Sequence, residues 1–305
     1  MSAPSAVPRA VRKQQARLGL LMTAPLLLMM AVFVLFPMLN AVYYVFVDFD
    51  GLDPTPPWVG LSNFTELARD SAVWDAFGNN VIWIVLGTVA PLALGLLLAL
   101  LVWDTKRSSV FYRLAFFLPY VVPPVAVAVV WSWIYAPTRG WLNRALDAVG
   151  LDSLSGGWLG DPDTALYAVL GAAIWSIFGF VFLILLSALR NVDVDQVDAA
   201  RLDGANAAKR TWHVVLPQIM PVFLMVTTIT LLGGFSVFDL IFIMTGGGPS
   251  NSSEVLGTYA YERAFEANRI SYGTALALVI ALMAIPFAVG LNRLQRRLSL
   301  EGRTA

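Results

Sequence analysis

Six long apolar segments dominate the sequence and restrict it to a membrane-embedded fold. We place them at roughly 18–47, 79–102, 112–135, 163–189, 218–245 and 271–292. Each is longer than the ~20 residues that an α-helix needs to cross the ~30 Å hydrocarbon core of a bilayer. Charged residues make up only 13% of the chain, against about 25% in typical soluble domains. The sequence therefore predicts an all-α membrane protein whose residues 18–292 form six transmembrane helices.

Several prolines lie within these segments, among them Pro25, Pro37, Pro91, Pro123, Pro124, Pro221 and Pro286. In a membrane helix, neighbouring groups can satisfy the carbonyl that a proline leaves unpaired. We therefore expect the segments to span the membrane despite their prolines. The first apolar stretch is also far longer than the 7–15 residues of a signal-peptide core, so we expect a retained helix there.

Positive charge is unevenly distributed among the connections. Of the 20 Lys and Arg residues, 15 lie in the tail 1–17, the turn 103–111 with Arg113, the loop 190–217 and the tail 293–305. The three alternate connections hold the other five. Because Lys and Arg favour the cytoplasmic side of a membrane, we expect both termini and the 190–217 loop to be cytoplasmic.

The chain shows no motif for hydrolysing ATP or for holding a cofactor. None of its three lysines, Lys13, Lys106 and Lys209, follows a glycine, so it has no GxxxxGK[ST] phosphate loop. It has no cysteine, and its one histidine, His213, has no carboxylate cluster beside it. We therefore expect no metal and no cofactor in this chain. The zero net charge gives no indication of nucleic-acid binding.

Charge inside the predicted spans is equally sparse, and Asp239 is the one acid that we find in their cores. Ion-coupled carriers usually need several buried ionisable groups or broken-helix sites. The sequence thus favours transport that is powered from outside this chain. The alternative is an ion-coupled secondary carrier or a passive channel, and uptake by this chain alone would support it. An intramembrane enzyme would need an acid, base or metal set that we do not find.

The 190–217 loop contains the sequence NVDVDQVDAARLDGANAAKRTWHVVLP. Asp193, followed three residues later by Gln196, resembles a capping box and predicts that a short helix starts there. Gly204 can end that helix or adopt a positive φ angle. We expect Pro217 in the first turn of the next membrane helix, where its missing N–H costs nothing.

One face of this predicted helix is almost free of bulk. Val197, Ala200 and Gly204 share that face by helical spacing, and small residues let another surface approach the backbone closely. The loop carries four acidic and four basic residues. This balance suits a protein partner better than an anionic lipid surface, which would favour a basic cluster. The alternative is a solvated amphipathic connector.

The loop resembles the EAA signature of binding-protein-dependent ABC importer permeases. That signature is Glu-Ala-Ala, two residues, Asp-Gly-Ala and, further on, Ile-x-Leu-Pro. The matching residues here, with aspartate for the glutamate, are Asp198, Ala199, Ala200, Asp203, Gly204, Ala205, Leu216 and Pro217. In the family, this helix docks into a groove on a cytoplasmic ATPase. The resemblance therefore implies an ATPase-coupling role for residues 195–210.

Other segments are similar to the branch of that family that moves carbohydrates and related polyols. They are PWVGLSNFTEL, FFLPYVVPPVAVAVVW with the following WLN, VFDLIFIMTGGGP and YAYERAF. The branch resembles the maltose and glycerol-phosphate importers, in which this type of chain is the first of two permeases. The resemblance implies a type I importer bundle in a prokaryotic inner membrane. Its implied partners are a second homologous permease, a cytoplasmic ATPase dimer that binds ATP and Mg, and an extracytoplasmic solute-binding protein.

We expect the substrate pathway in the outer half of the fifth span, at Phe235, Ser236, Phe238 and Asp239. Carbohydrates present hydroxyl groups and apolar ring faces, so sites for them combine aromatic planes with polar groups. Asp239 lies about eight residues past the middle of the span, or roughly 12 Å toward the outside. Snorkelling or helix pairing is the alternative role for this acid. The outer connections are too short to form a sugar-binding domain, so a separate receptor is expected.

Two further features of the spans have structural interpretations. Asn80, at the start of the second predicted span, is expected to cap a helix or to form an interhelical hydrogen bond. Gly233 and Gly234 are expected to let a neighbouring helix pack closely or to let the fifth span bend.

Overall fold

The structure is a computed structural model that describes residues 9–103 and 109–301, with side chains described for 18–103 and 110–297. Helices form nearly all of its regular structure. Within the described residues, the only extended pairing is a single antiparallel bridge between Val47 and Trp58. The all-α prediction is confirmed.

The helices are named here in chain order. They are α1 (Arg9–Met30, Ala31–Leu35 and Phe36–Tyr44), α2 (Ser62–Arg69), α3 (Ser71–Trp103), α4 (Ser109–Val121), α5 (Pro124–Ile134), α6 (Trp141–Ala148), α7 (Ala165–Leu189), α8 (Val194–Leu202), α9 (Ala207–Arg210, Thr211–Val215 and Leu216–Phe235), α10 (Asp239–Met244), α11 (Leu256–Tyr261 and Glu262–Glu266) and α12 (Ile270–Glu301). The middle segment of α1, the middle segment of α9 and the second segment of α11 are π turns.

Among the described residues, five helices are long and apolar enough to cross a membrane singly. They are Leu18–Tyr44, Ser71–Trp103, Ala165–Leu189, Ala207–Phe235 and Ile270–Arg297. They correspond to the first, second, fourth, fifth and sixth predicted spans, but several extend beyond the predicted ends. Residues 9–17 of the predicted N-terminal tail are helical, and α12 continues to Glu301 in the predicted C-terminal tail. Residues 1–8, 104–108 and 302–305 lie outside the described residues.

The third predicted span is not one straight helix. It divides into Val110–Val121 and Pro124–Ile134, and the two halves meet at 95°. Pro123 is extended, with φ −56° and ψ 142°, and Pro124 opens α5. A proline disfavours helical backbone in the residue before it, so two consecutive prolines break the helix. This bend is not predicted from the sequence, and the described residues hold six spans if the bent pair is one span.

At two other prolines the helix continues, because a π turn precedes the proline. In α1, the Phe36 N–H donates to the Ala31 carbonyl just before Pro37. In α9, the Leu216 N–H donates to the Thr211 carbonyl just before Pro217. The wider turn gives room for a ring that would otherwise clash with the carbonyl four residues earlier. Pro217 thus lies inside a helix that begins at Ala207, and not in its first turn as predicted.

The core centres on α7, of whose most apolar stretch 44% is buried. Toward the 190–217 loop, α7 packs against α3 and α9 through Val181, Phe182, Leu185, Leu186 and Leu189. At its other end, α7 packs against α3, α5 and α10. A third cluster joins α2, α3, α11 and α12. In contrast, no residue of 18–44 in α1 is buried.

A polar clamp around Asp70 joins α2 to α11 and α12. The Tyr259 and Tyr272 hydroxyls both donate to Asp70 Oδ2 at 2.6 Å, and the Ala72 N–H donates to Oδ1 at 3.0 Å. Burial raises the pKa of Asp70, but these hydrogen bonds outweigh that effect and leave it below its ordinary value. Beside the clamp, Arg269 makes a bidentate ion pair with Glu66 at 2.7 Å.

Candidate functional site

The capping signal in the 190–217 loop starts a helix where the sequence predicts one. α8 begins at Val194, directly after Asp193. The Asp195 N–H donates to Asp193 Oδ1 at 3.0 Å, and Gln196 Nε2 donates to Asp193 Oδ2 at 3.0 Å. The Asp193 carboxylate therefore satisfies one of the unpaired N–H groups at the start of the helix. The predicted helix start is confirmed.

Gly204 ends α8 with a left-handed turn. Its φ is +82°, a value that glycine reaches without strain. The Gly204 N–H donates to the Arg201 carbonyl at 3.1 Å, and the Ala205 N–H donates to the Ala200 carbonyl at 3.0 Å. This pair of bonds is a Schellman motif. Asn206 then opens α9 by accepting the Lys209 N–H at 2.9 Å, so α8 and α9 meet at a sharp corner.

The two faces of α8 differ from the prediction. Val197 packs against the core, and Ala200 is half-buried. The small-residue face therefore turns partly toward the chain itself. The side that is open to a partner carries Ala199, Leu202, Asp203 and Gly204, and Leu202 is 89% exposed. Trp212, in the π turn of α9, is 68% exposed.

The remaining residues of the predicted coupling set have distinct positions. Asp198 is exposed and lines a cavity of about 440 Å³ between α8 and the end of α3. Ala205 is half-buried at the corner. Leu216 is 9% exposed and belongs to the core, whereas Pro217 is exposed further along α9. The corner thus gathers residues 198–205, but Leu216 and Pro217 lie apart from them.

Gln218 ties α8 to α9, and sequence reasoning missed it. The Asp193 N–H donates to Gln218 Oε1 at 2.9 Å, and Gln218 Nε2 donates to Gln196 Oε1 at 3.2 Å. With the bond from Gln196 to Asp193, these contacts close a ring of hydrogen bonds. The ring holds the first turn of α8 against α9. A polar residue directly after Pro217 was the available signal.

The predicted fifth span ends before its acid. α9 stops at Phe235, Phe238 has φ −152° and ψ −62°, and Asp239 is the first residue of the short helix α10. Asp239 therefore follows a helix break, and the prediction that one continuous span contains it is wrong. A broken helix places backbone polar groups and side chains at the wall of a cavity.

Three of the four predicted pathway residues line one cavity of about 290 Å³, namely Ser236, Phe238 and Asp239. Trp83 of α3, Ser176 of α7 and Thr230 of α9 also line it. Ser236 and Asp239 are exposed, and Phe238 stacks on Phe242 with ring centres 4.9 Å apart. The cavity thus combines hydroxyl groups, a carboxylate and aromatic rings.

Phe235 lies elsewhere. It is 5% exposed, and its ring centre is 5.4 Å from that of Phe287. It lines a separate apolar cavity of about 340 Å³ between α3, α9 and α12. The structure thus separates Phe235 from the other predicted pathway residues.

Within the described part of the chain, no group of three metal-ligating side chains occurs.

Comparison with known proteins gives concordant matches. The family model "Binding-protein-dependent transport system inner membrane component" matches residues 91–300. The chain is 33% identical over 264 residues to "Probable ABC transporter permease protein YurN" of Bacillus subtilis (strain 168), covering 86% of this chain and 90% of that protein. It is 30% identical over 257 residues to "Multiple sugar-binding transport system permease protein MsmF" of Streptococcus mutans serotype c, covering 84% and 88%.

The fold also matches a solved structure. That structure is of a bacterial ABC transporter involved in the import of the acidic polysaccharide alginate. The TM-score is 0.82, the identity is 23%, and the match covers 95% of this chain and 99% of that chain. At this identity, the match shows the fold alone.

Proposed function

Because this chain belongs to the family of binding-protein-dependent transport system inner membrane components, we propose that its α8 corner couples an ATPase to a carbohydrate pathway. The membership confirms the resemblance that the 190–217 loop indicates. The chain is a multi-pass inner-membrane permease subunit of an ABC importer. Its substrate is a carbohydrate or related polyol, as the name of the Streptococcus relative supports.

The observation that carries the coupling role is the outward side of α8. Leu202, between Arg201 and Asp203 at the end of α8, is 89% exposed, and Trp212 of α9 is 68% exposed. Exposed apolar side chains of this kind favour contact with another protein. A Cβ added at Gly204 would meet no described atom within 4 Å, so the turn leaves room for another surface to approach the backbone. A cytoplasmic ATPase pair that binds ATP and Mg is the partner that fits.

The orientation of the bundle is part of the proposal. The distribution of Lys and Arg supports cytoplasmic termini and a cytoplasmic α8. The family description itself names dependence on a binding protein, which supports an extracytoplasmic solute-binding protein as the donor of substrate. A second, homologous permease would complete the pathway on the open side of the cavity.

The cavity at the helix break is the proposed carbohydrate contact. Ser236 and Asp239 offer one hydroxyl and one carboxylate for substrate hydroxyl groups, and Phe238 offers an aromatic ring. Sites for small polar ligands are typically apolar cavities with a few placed polar groups. A cavity of about 290 Å³ is small. Selectivity would then depend largely on the binding protein.

Gly204→Val in the complete transporter tests the coupling role. A β-branched side chain is strained at φ +82° and adds bulk to the docking corner. We expect the variant to assemble in the membrane and to lose the ATP hydrolysis that substrate-loaded binding protein stimulates. Gly204→Asn is the matched control, because asparagine tolerates positive φ and should retain more of the stimulation.

Full stimulation of the Gly204→Val transporter would contradict the assignment. The same reconstitution addresses the alternative of a secondary carrier or passive channel. Vesicles that contain this chain alone should show no uptake. Solute uptake without the ATPase would favour the alternative.

A further inference from the structure

We propose that Asn80 is a positioning residue that fixes the break between α9 and α10, and thereby the location of Ser236 and Asp239. The inference rests on the proposed role of the cavity that these two residues line. Asn80 lies in α3 and is 2% exposed. Its partners are 154 and 176 residues away in the chain.

The Asn80 side-chain amide forms hydrogen bonds with one backbone group at the end of α9 and one at the start of α11. Asn80 Nδ2 donates to the Gly234 carbonyl at 3.1 Å, and the Leu256 N–H donates to Asn80 Oδ1 at 3.1 Å. Gly234 lies in the last turn of α9, and Leu256 is the first residue of α11. Carbonyls in a last turn and N–H groups in a first turn have no partner within their own helix. Asn80 supplies one acceptor and one donor, which is what the two groups need.

One of these hydrogen bonds affects the cavity, because it holds the Gly234 carbonyl close to the residues that line the cavity. Gly234 lies two residues before Ser236, and a Cβ added to it would be 3.1 Å from Ile84 Cα. α9 therefore meets α3 at van der Waals distance where Asn80 holds its carbonyl. Without the amide, this carbonyl would be buried and unpaired, and the end of α9 would have to move to find water. Ser236 and Asp239 would move with it.

The neighbouring residue provides a matched comparison. Asn79 Nδ2 donates to the Ser252 and Glu254 carbonyls at 3.0 and 2.8 Å. Asn79 therefore holds the outer connection before α11, whereas Asn80 holds both α11 and the end of α9. Thr88 provides a second control on α3, since it is 6% exposed and its hydroxyl has no partner among the described residues.

The experiment uses the absence of cysteine from the chain. Ser236→Cys introduces the only thiol, and its labelling rate with a maleimide is measured in the assembled transporter. Asn80→Ala removes both hydrogen bonds, and loss of one buried hydrogen bond already changes a local opening equilibrium by roughly fivefold, so we expect the labelling rate to change by at least that factor. Asn79→Ala and Thr88→Val should leave the rate close to that of the parent.

Asn80→Leu is the second variant, because leucine is close to asparagine in size but has neither the donor for the Gly234 carbonyl nor the acceptor for the Leu256 N–H. It should therefore change the Ser236→Cys labelling rate as Asn80→Ala does. Because it retains the side-chain volume, it serves if Asn80→Ala does not assemble.

Equal labelling rates in the parent and both Asn80 variants would overturn the proposal. An equal change in Asn79→Ala would also overturn it, because the effect would then be a general loosening of the outer end. Labelling does not require that a carbohydrate be transported. A positive labelling result without carbohydrate uptake would thus refute the proposed substrate and leave the positioning role of Asn80 intact.

Discussion

At the scale of single residues, the Asp70 clamp shows how a carboxylate can join distant helices at the edge of the membrane. Two tyrosine hydroxyls donate to one carboxylate oxygen at 2.6 Å. Hydrogen bonds to a charged acceptor are short and contribute more than neutral ones. The clamp joins α2 and the start of α3 to α11 and α12, and therefore fixes one end of the third core cluster.

Tyr272→Phe should destabilise the protein by about 1–2 kcal/mol, because it removes one donor to Asp70 and keeps the buried ring. Thermal unfolding in detergent measures this change. Tyr167→Phe is the control, since the Tyr167 ring is 52% exposed. Equal stability of the two variants would show that the clamp adds nothing.

The clamp also predicts a pH dependence. The folded pKa of Asp70 is lowered, so its contribution is fully present above the unfolded pKa of about 3.9. The contribution is lost as the pH falls through the still lower folded pKa. Asp70→Asn should lack this part of the acid sensitivity. An acid unfolding profile of the same shape in both proteins would contradict the prediction.

At the scale of helices, the question is whether α8 moves together with α9. The Gln218 ring joins the first turn of α8 to α9, and the far end of α9 leads to the cavity. A force applied to α8 would thus reach the helix that ends at Phe235. Each exposed hydrogen bond contributes only about 0.5–1.5 kcal/mol, so the ring positions α8 more than it stabilises the fold.

Gln218→Ala should lower the amount of solute transported per ATP hydrolysed, while hydrolysis itself continues, because α8 would move without α9. The control is Asn191→Ala, since Asn191 donates to the Ser187 carbonyl at the end of α7. The measurement is the ratio of uptake to ATP hydrolysis in proteoliposomes. An unchanged ratio in Gln218→Ala would refute the linkage.

The sequence predicts those elements whose causes are local. Long apolar segments give α3, α7 and α12, and Asp193 with Gln196 gives the start of α8. Hydropathy does not predict the break at Pro123 and Pro124 or the end of α9 at Phe235, because it measures composition and not backbone direction. The interhelical hydrogen bond expected of Asn80 is confirmed, but the sequence could not name its partners, which lie 154 and 176 residues away. Gln218 was not predicted as a link, because its partner Asp193 lies 25 residues away.

At the scale of the whole molecule, the chain is a helical bundle in which the proposed coupling corner and the proposed pathway cavity lie at the two ends of α9. α7 holds the centre, and α1 contributes no buried residue from 18 to 44. The exposed corner of α8 and the cavity at the α9–α10 break are joined by one helix. This arrangement fits a subunit that receives energy at one surface and uses it at the other.

The most direct test of this account is the side of the membrane on which α8 lies. Leu202→Cys places the only thiol of the chain on a residue that is 89% exposed. We predict that a membrane-impermeant maleimide labels it only from the cytoplasmic face, and that a bound ATPase protects it. Labelling from the extracytoplasmic face, or labelling that the ATPase does not affect, would contradict the account.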